Sequence, residues 1–214
     1  YLFLDTPAIE QMGLLEDGTI DRINLKRPRR NVVEAIHEVE DVQEWMRDYI
    51  RNADLGDLTY VGKYKNIDDI AQIADGIRSE LGLDKKWFLE SSGSWDSFKL
   101  IRERLEKIGT LVMMSGIVGS NTHRSLDINE FRAFTLIDKY APLIFVNAND
   151  SSNGRLFSLV HEMTHIWLGE DSFYNDYQNH VNDISKIEIL CNAVTAEILV
   201  PIDLFNSSWY KSNI

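Results

Sequence analysis

The chain has 214 residues, 44% of them hydrophobic and 26% charged, an ordinary soluble composition with enough apolar residues to bury a core. Its formal net charge of −12 excludes general binding to DNA or RNA by this chain, which needs a basic face. A single cysteine, Cys191, excludes an internal disulfide and fits a reducing, cytoplasmic setting, and no apolar stretch reaches membrane-spanning length.

Residues 1–36 are weakly periodic and contain Pro7, Gly13, Gly18 and Pro28, so they are read as an N-terminal tail or linker. The absence of an initial Met and of a signal-peptide pattern suggests a natural N-terminus further upstream. Lys26-Arg27-Pro28-Arg29-Arg30 is the one basic run, and is read as a solvated linker. A helical region is expected over 37–108. Its first helix, over 37–52, places Val39, Val42, Met46, Tyr49 and Ile50 at helical spacing. A second follows an Asn66 cap, repeats through Ile67, Ile70, Ile73, Ile77 and Leu81, and closes at Gly82. A third, from Ser94 to Ile108, carries Phe98, Ile101, Leu105 and Ile108 on one face before Gly109.

The core is expected over 109–214. Thr110–Met114, Phe131–Ile137 and Pro142–Asn147 are short apolar runs bounded by turn signals, which predicts a small sheet of three strands, antiparallel in character. Residues 148–154 are polar and are read as a loop leading into the stretch 155–169, RLFSLVHEMTHIWLG. Leu156, Leu159 or Val160, Met163 and Trp167 make a helical stripe there, and Gly169 is placed to stop it. A polar loop then leads to a last helix, Ile184 to Leu199, with Ile184, Ile187, Cys191, Val194 and Ile198 facing inward and Pro201 ending it. Helices, a small sheet, then two helices define an α+β chain.

The chemistry sits in His161-Glu162-Met163-Thr164-His165, an H-E-x-x-H pentad. On a helix, residues i and i+4 stack on one face, so His161 and His165 can present both imidazoles to one metal ion. Glu162 lies beside that ion without binding it, where a general base belongs. Hydrolytic zinc takes three protein ligands and keeps one position for water. The H-E-x-x-H-x-x-G-x-x-H pattern fails here, with Leu168 and Asp171 at its last two positions. The third-ligand candidates are Glu188, Asp171, His180, Asp183 and Cys191. Glu188 is favoured because a second helix places a carboxylate more rigidly than a loop does. Asn192 is then one turn away, where it can hydrogen-bond a ligand imidazole. Cys191 falls on the apolar stripe and is read as a core residue. Candidates for stabilising an oxyanion are His123, Arg132, Tyr174, Tyr177 and His180.

These residues resemble a family. Phe157–His165 is similar to the F-T-L-A-H-E-L-G-H segment of the ImmA/IrrE metallopeptidases. Residues 188–201 resemble their E-x-x-A-N-x-F-A-A-E-L-L-M-P signature, and Phe131-Arg132-Ala133-Phe134 resembles their F-R-G-F strand. The likeness covers about residues 95–201, and residues 1–90 look like the helical region of longer members with an N-terminal helix-turn-helix domain. Thr164, Cys191, Val194 and Thr195 depart from the family's usual residues, and none of them is a proposed ligand. The resemblance implies a zincin-like core, zinc held by His161, His165 and Glu188, Glu162 as base, and a DNA-binding transcriptional repressor as protein substrate, in a phage, mobile-element or stress circuit. Two other readings compete with an endopeptidase: a metal-stabilised module that grips a repressor or antitoxin without cutting it, and a hydrolase of small amides.

Overall fold

The computed structural model describes residues 30–170, 172–174 and 186–212, with the backbone alone at 172–174 and 208–212. The tail at 1–29, most of the basic run, and Asp171, His180 and Asp183 lie outside the described residues. So do the side chains of Tyr174 and Tyr177.

Helix α1 (Arg30–Asn52) starts seven residues earlier than apolar periodicity indicates. Its first turn sets Arg30 and Asn31 beside the buried Val32, and Arg30 pairs with Glu34 across one turn at 2.5 Å. The helix also turns a different face inward. Val32, Ala35, Ile36, Val39 and Gln43 are buried, while Val42 and Tyr49 face solvent, Tyr49 stacked on Trp45. Gln43 is the reason, because its side-chain amide donates to the carbonyls of Leu136 (2.9 Å) and Ala141 (3.0 Å). A buried polar residue with both protons used is cheap, and a purely hydrophobic pattern does not register it.

Helix α2 (Ile70–Leu81) begins at an Asp69 cap, whose carboxylate accepts from the Gln72 N–H, and not at Asn66. It ends on Gly82 in the left-handed conformation, as the sequence indicates. A 3₁₀ turn (Trp87–Glu90) leads to α3 (Ser94–Lys107).

Three strands follow where they are expected. Strand β1 is Leu111–Ser115, and the hairpin β2 (Ile117–Val118) and β3 (Asn121–Ser125) comes next. Strands β4 (Ala133–Leu136) and β5 (Leu143–Asn147) complete the set. A short strand β6 (Ser172–Tyr174) adds a fourth member to the main sheet, whose order is β1-β5-β4-β6. β4 runs antiparallel to β5 and β6, but β1 and β5 are parallel, so the sheet is mixed. The chain leaves β1, forms the hairpin and β4, then brings β5 back between them.

Side chains in each strand alternate between two apolar clusters. Phe134, Leu136, Leu143 and Phe145 point to one face, where α1 covers them. Ala133, Ile144, Val146 and Val112 point to the other, against α2, α3 and the metal-site helices. With both faces covered, the strands read as continuous apolar runs. Each fully buried large aliphatic side chain contributes roughly 1.5–3 kcal/mol.

Helix α4 (Ser152–Leu168) carries the pentad. It starts inside the stretch read as a loop, because the Ser151 hydroxyl caps it by accepting from the Gly154 N–H. Helix α5 (Lys186–Leu199) carries Glu188, and α6 (Ile202–Ser212) follows Pro201. The end of α5 is held from α2 and the 3₁₀ turn. Arg78, buried, donates to the Glu197 carbonyl, and the Trp87 indole N–H donates to the Ile198 carbonyl at 3.0 Å. These are two of the carbonyls that a helix end leaves unsatisfied.

Gly169 closes α4 at φ +73° and packs against Gly62. The Gly62 and Tyr64 N–H groups, in turn, donate to the Ile166 and Trp167 carbonyls at 2.9 Å each. A Cβ on Gly169 would stand 2.9 Å from the Gly62 Cα, which is backbone and cannot turn aside. Gly169→Ala is expected to cost about 1–3 kcal/mol from the left-handed backbone alone. In thermal unfolding, that is a Tm lower by roughly 3–10 °C.

Candidate metal centre

The pentad lies where α4 is buried all round. His161 and Glu162 are fully buried and His165 is 1% exposed. Their Nε2 atoms face each other at 3.2 Å, and Phe157, one turn earlier, lies nearly parallel to the His161 ring at 6.2 Å between centroids. Helix α5 adds Glu188. Its two carboxylate oxygens sit 3.2 Å from His161 Nε2 and 3.4 Å from His165 Nε2. Four ligands arranged tetrahedrally at about 2.0–2.1 Å from zinc would be about 3.3–3.4 Å apart. The two imidazoles and the carboxylate already keep that spacing, and among the described residues these three form a candidate metal-binding group.

Burial raises the Glu188 carboxyl, but hydrogen bonds and electrostatic attraction between it and His161 and His165 outweigh that and hold it well below the usual carboxylate range. An anion between two imidazoles is the charge pattern that a divalent cation would complete. Cys191 lies one turn from Glu188 and takes no part. It is fully buried in the apolar cluster, and burial, then the Glu188 and Glu162 carboxylates, push its thiol up. A thiol so disposed is a small core residue, not a ligand thiolate.

Glu162 is oriented from the sheet. Thr135, fully buried on β4, donates its hydroxyl to Glu162 Oε2 at 2.6 Å. No motif points to Thr135. Its one signal in the sequence is a lone hydroxyl in an apolar strand, Ala133-Phe134-Thr135-Leu136.

The other candidates fall elsewhere. Arg132 is bound to Asp150 at 2.6 Å, just before α4 and about three turns of helix from His161. His123 is exposed on the β3 hairpin. Asn192 is half-buried and does not reach His165, whose Nδ1 has no hydrogen-bond partner among the described residues.

A helix pair that converges two imidazoles and one carboxylate, with a further buried carboxylate alongside, defines the class of helix-borne metallohydrolase sites. Residues 105–213 match the peptidase family described as the IrrE N-terminal-like domain (Peptidase_M78), and the chain belongs to that family, the ImmA/IrrE metallopeptidases. No curated protein and no solved structure matches the chain. Among the described residues no helix is long and apolar enough to cross a membrane.

Proposed function

We propose that the protein is a zinc-dependent endopeptidase, with His161, His165 and Glu188 as metal ligands and Glu162 as general base. One observation carries the reading: two imidazole nitrogens 3.2 Å apart each face an oxygen of the Glu188 carboxylate, at 3.2 and 3.4 Å, while the adjacent buried carboxylate, Glu162, is left out of the set. A purely structural site closes its fourth position and has no use for a base. Nitrogen and oxygen donors in this mixture suit zinc.

When bound, the ion supplies Lewis acidity, lowering the pKa of a water and polarising a peptide carbonyl. Glu162 takes a proton from the attacking water and delivers it to the leaving nitrogen. His161 and His165, rigid on one helix face, and Glu188, fixed across from them on α5, keep that water and the base in register.

The substrate we propose is a DNA-binding transcriptional repressor, cut in a phage, mobile-element or stress-response circuit in the cytoplasm. An acidic chain of net charge −12 suits a basic protein partner better than nucleic acid. The test is to incubate the zinc-loaded protein with a panel of helix-turn-helix repressors and to follow the products by mass spectrometry. A discrete cut is expected, abolished by a chelator and restored by added zinc. A repressor bound but left whole by the zinc-loaded protein would instead support a gripping module.

A further inference from the structure

The proposed mechanism asks Glu162 to hold one carboxylate oxygen toward water, yet a glutamate on a helix has three side-chain torsions and no orientation of its own. The strand opposite supplies one. In β4, Phe134 and Leu136 face the α1 side while Ala133 and Thr135 face α4. Thr135 is fixed along both edges, its backbone in register with Ile144 on β5 and Ser172 on β6. Its branched Cβ restricts χ1 as well.

The Thr135 hydroxyl has two acceptors within reach, Glu162 Oε2 at 2.6 Å and the Glu162 backbone carbonyl at 3.2 Å. A hydroxyl carries a single proton, and the shorter contact, to the carboxylate oxygen, takes it. We propose that Thr135 is a positioning residue for the general base, its hydroxyl anchoring one carboxylate oxygen of Glu162 so that the carboxylate is held fixed for the attacking water. This rests on the endopeptidase reading for its function, and on the sheet-to-helix contact for its geometry.

The variants are Thr135→Val, which keeps the shape and removes the proton, and Thr135→Ser, which keeps the proton. Both are assayed as zinc-loaded full chains. Thr135→Val is expected to bind zinc as wild type does, with kcat on a cleaved repressor lower by roughly 10–100-fold and KM little changed, and Thr135→Ser is expected to recover most of the loss. A second readout needs no turnover. Acetohydroxamic acid binds a zinc site through its oxygens as acetohydroxamate, handing its N–OH proton to the neighbouring carboxylate. Azide has no such proton. Thr135→Val should weaken acetohydroxamate about tenfold and leave azide unaffected, with Thr135→Ser close to wild type.

A Thr135→Val variant that equals wild type in both readouts overturns the proposal. So does a Thr135→Ser variant as impaired as Thr135→Val, or a loss seen wholly in KM. Wild type that binds acetohydroxamate but cuts no repressor overturns the endopeptidase reading alone, while the contrast between the two ligands still decides the role of Thr135.

Discussion

Glu162→Gln is expected to retain zinc and to lose peptide hydrolysis by about 10²–10⁴-fold, the range for removing a general base. Glutamine has the same shape and its amide oxygen still accepts the Thr135 proton, so the buried contact at 2.6 Å survives. What it cannot do is take a proton from water. Three decades of rate correspond to about 4 kcal/mol at the transition state. The check is zinc stoichiometry measured beside kcat/KM on a cleaved repressor. A Gln variant within tenfold of wild type would remove Glu162 from the mechanism.

Glu188→Ala acts one level lower, on the metal itself. The variant is expected to fall from one zinc per chain to less than a tenth of that after dialysis, and activity with it. Two imidazole Nε2 atoms 3.2 Å apart then face each other with no anion beside them, and two ligands do not make a catalytic zinc site, which takes three. Glu188 lies on a helix flank with its side chain 27% exposed, so the metal-free variant should melt within a few degrees of metal-free wild type. Metal analysis with a thermal scan separates the two effects. Zinc retained in Glu188→Ala would move the third ligand to Asp171, His180 or Asp183.

The pentad was legible because a helix converts spacing into a face: His161 and His165 four residues apart need only a helix, and Gly169 ends one, whereas the Ser151 cap at its start lies in the stretch read as a loop. Glu188 was legible for the same reason, one flank of the next periodic run. Thr135 was not. It meets Glu162 across 27 residues, through a strand-on-helix contact that neither period encodes. The start of α1 was obscured because Pro28 and the basic run lead straight into it, so that Val32 and Val33 read as part of the linker, and its inward face because Gln43 is anchored to carbonyls on the sheet. The parallel pairing of β1 with β5 depends on how the intervening hairpin folds away, and a list of apolar runs carries no such order. The β2–β3 hairpin itself, with Asn121–Ser125 exposed or half-exposed, offers almost no apolar signal.

The family match begins at residue 105, inside α3, yet the apolar cluster behind the metal helix does not stop there. Ile73, Ile77, Trp87, Phe98 and Ile101 belong to the same cluster as Leu159, Met163, Val194 and Ile198. Helices that supply no ligand therefore melt together with those that do. An ion bound at the site stabilises the native chain by mass action, and a shared core spreads that gain over everything in contact with it. In a variant whose other tryptophans are replaced, the fluorescence of Trp87, buried against the end of α5, then becomes a remote gauge of the centre: its unfolding midpoint rises with zinc concentration although its indole N–H is bonded to the Ile198 carbonyl, at the far end of the ligand-bearing helix.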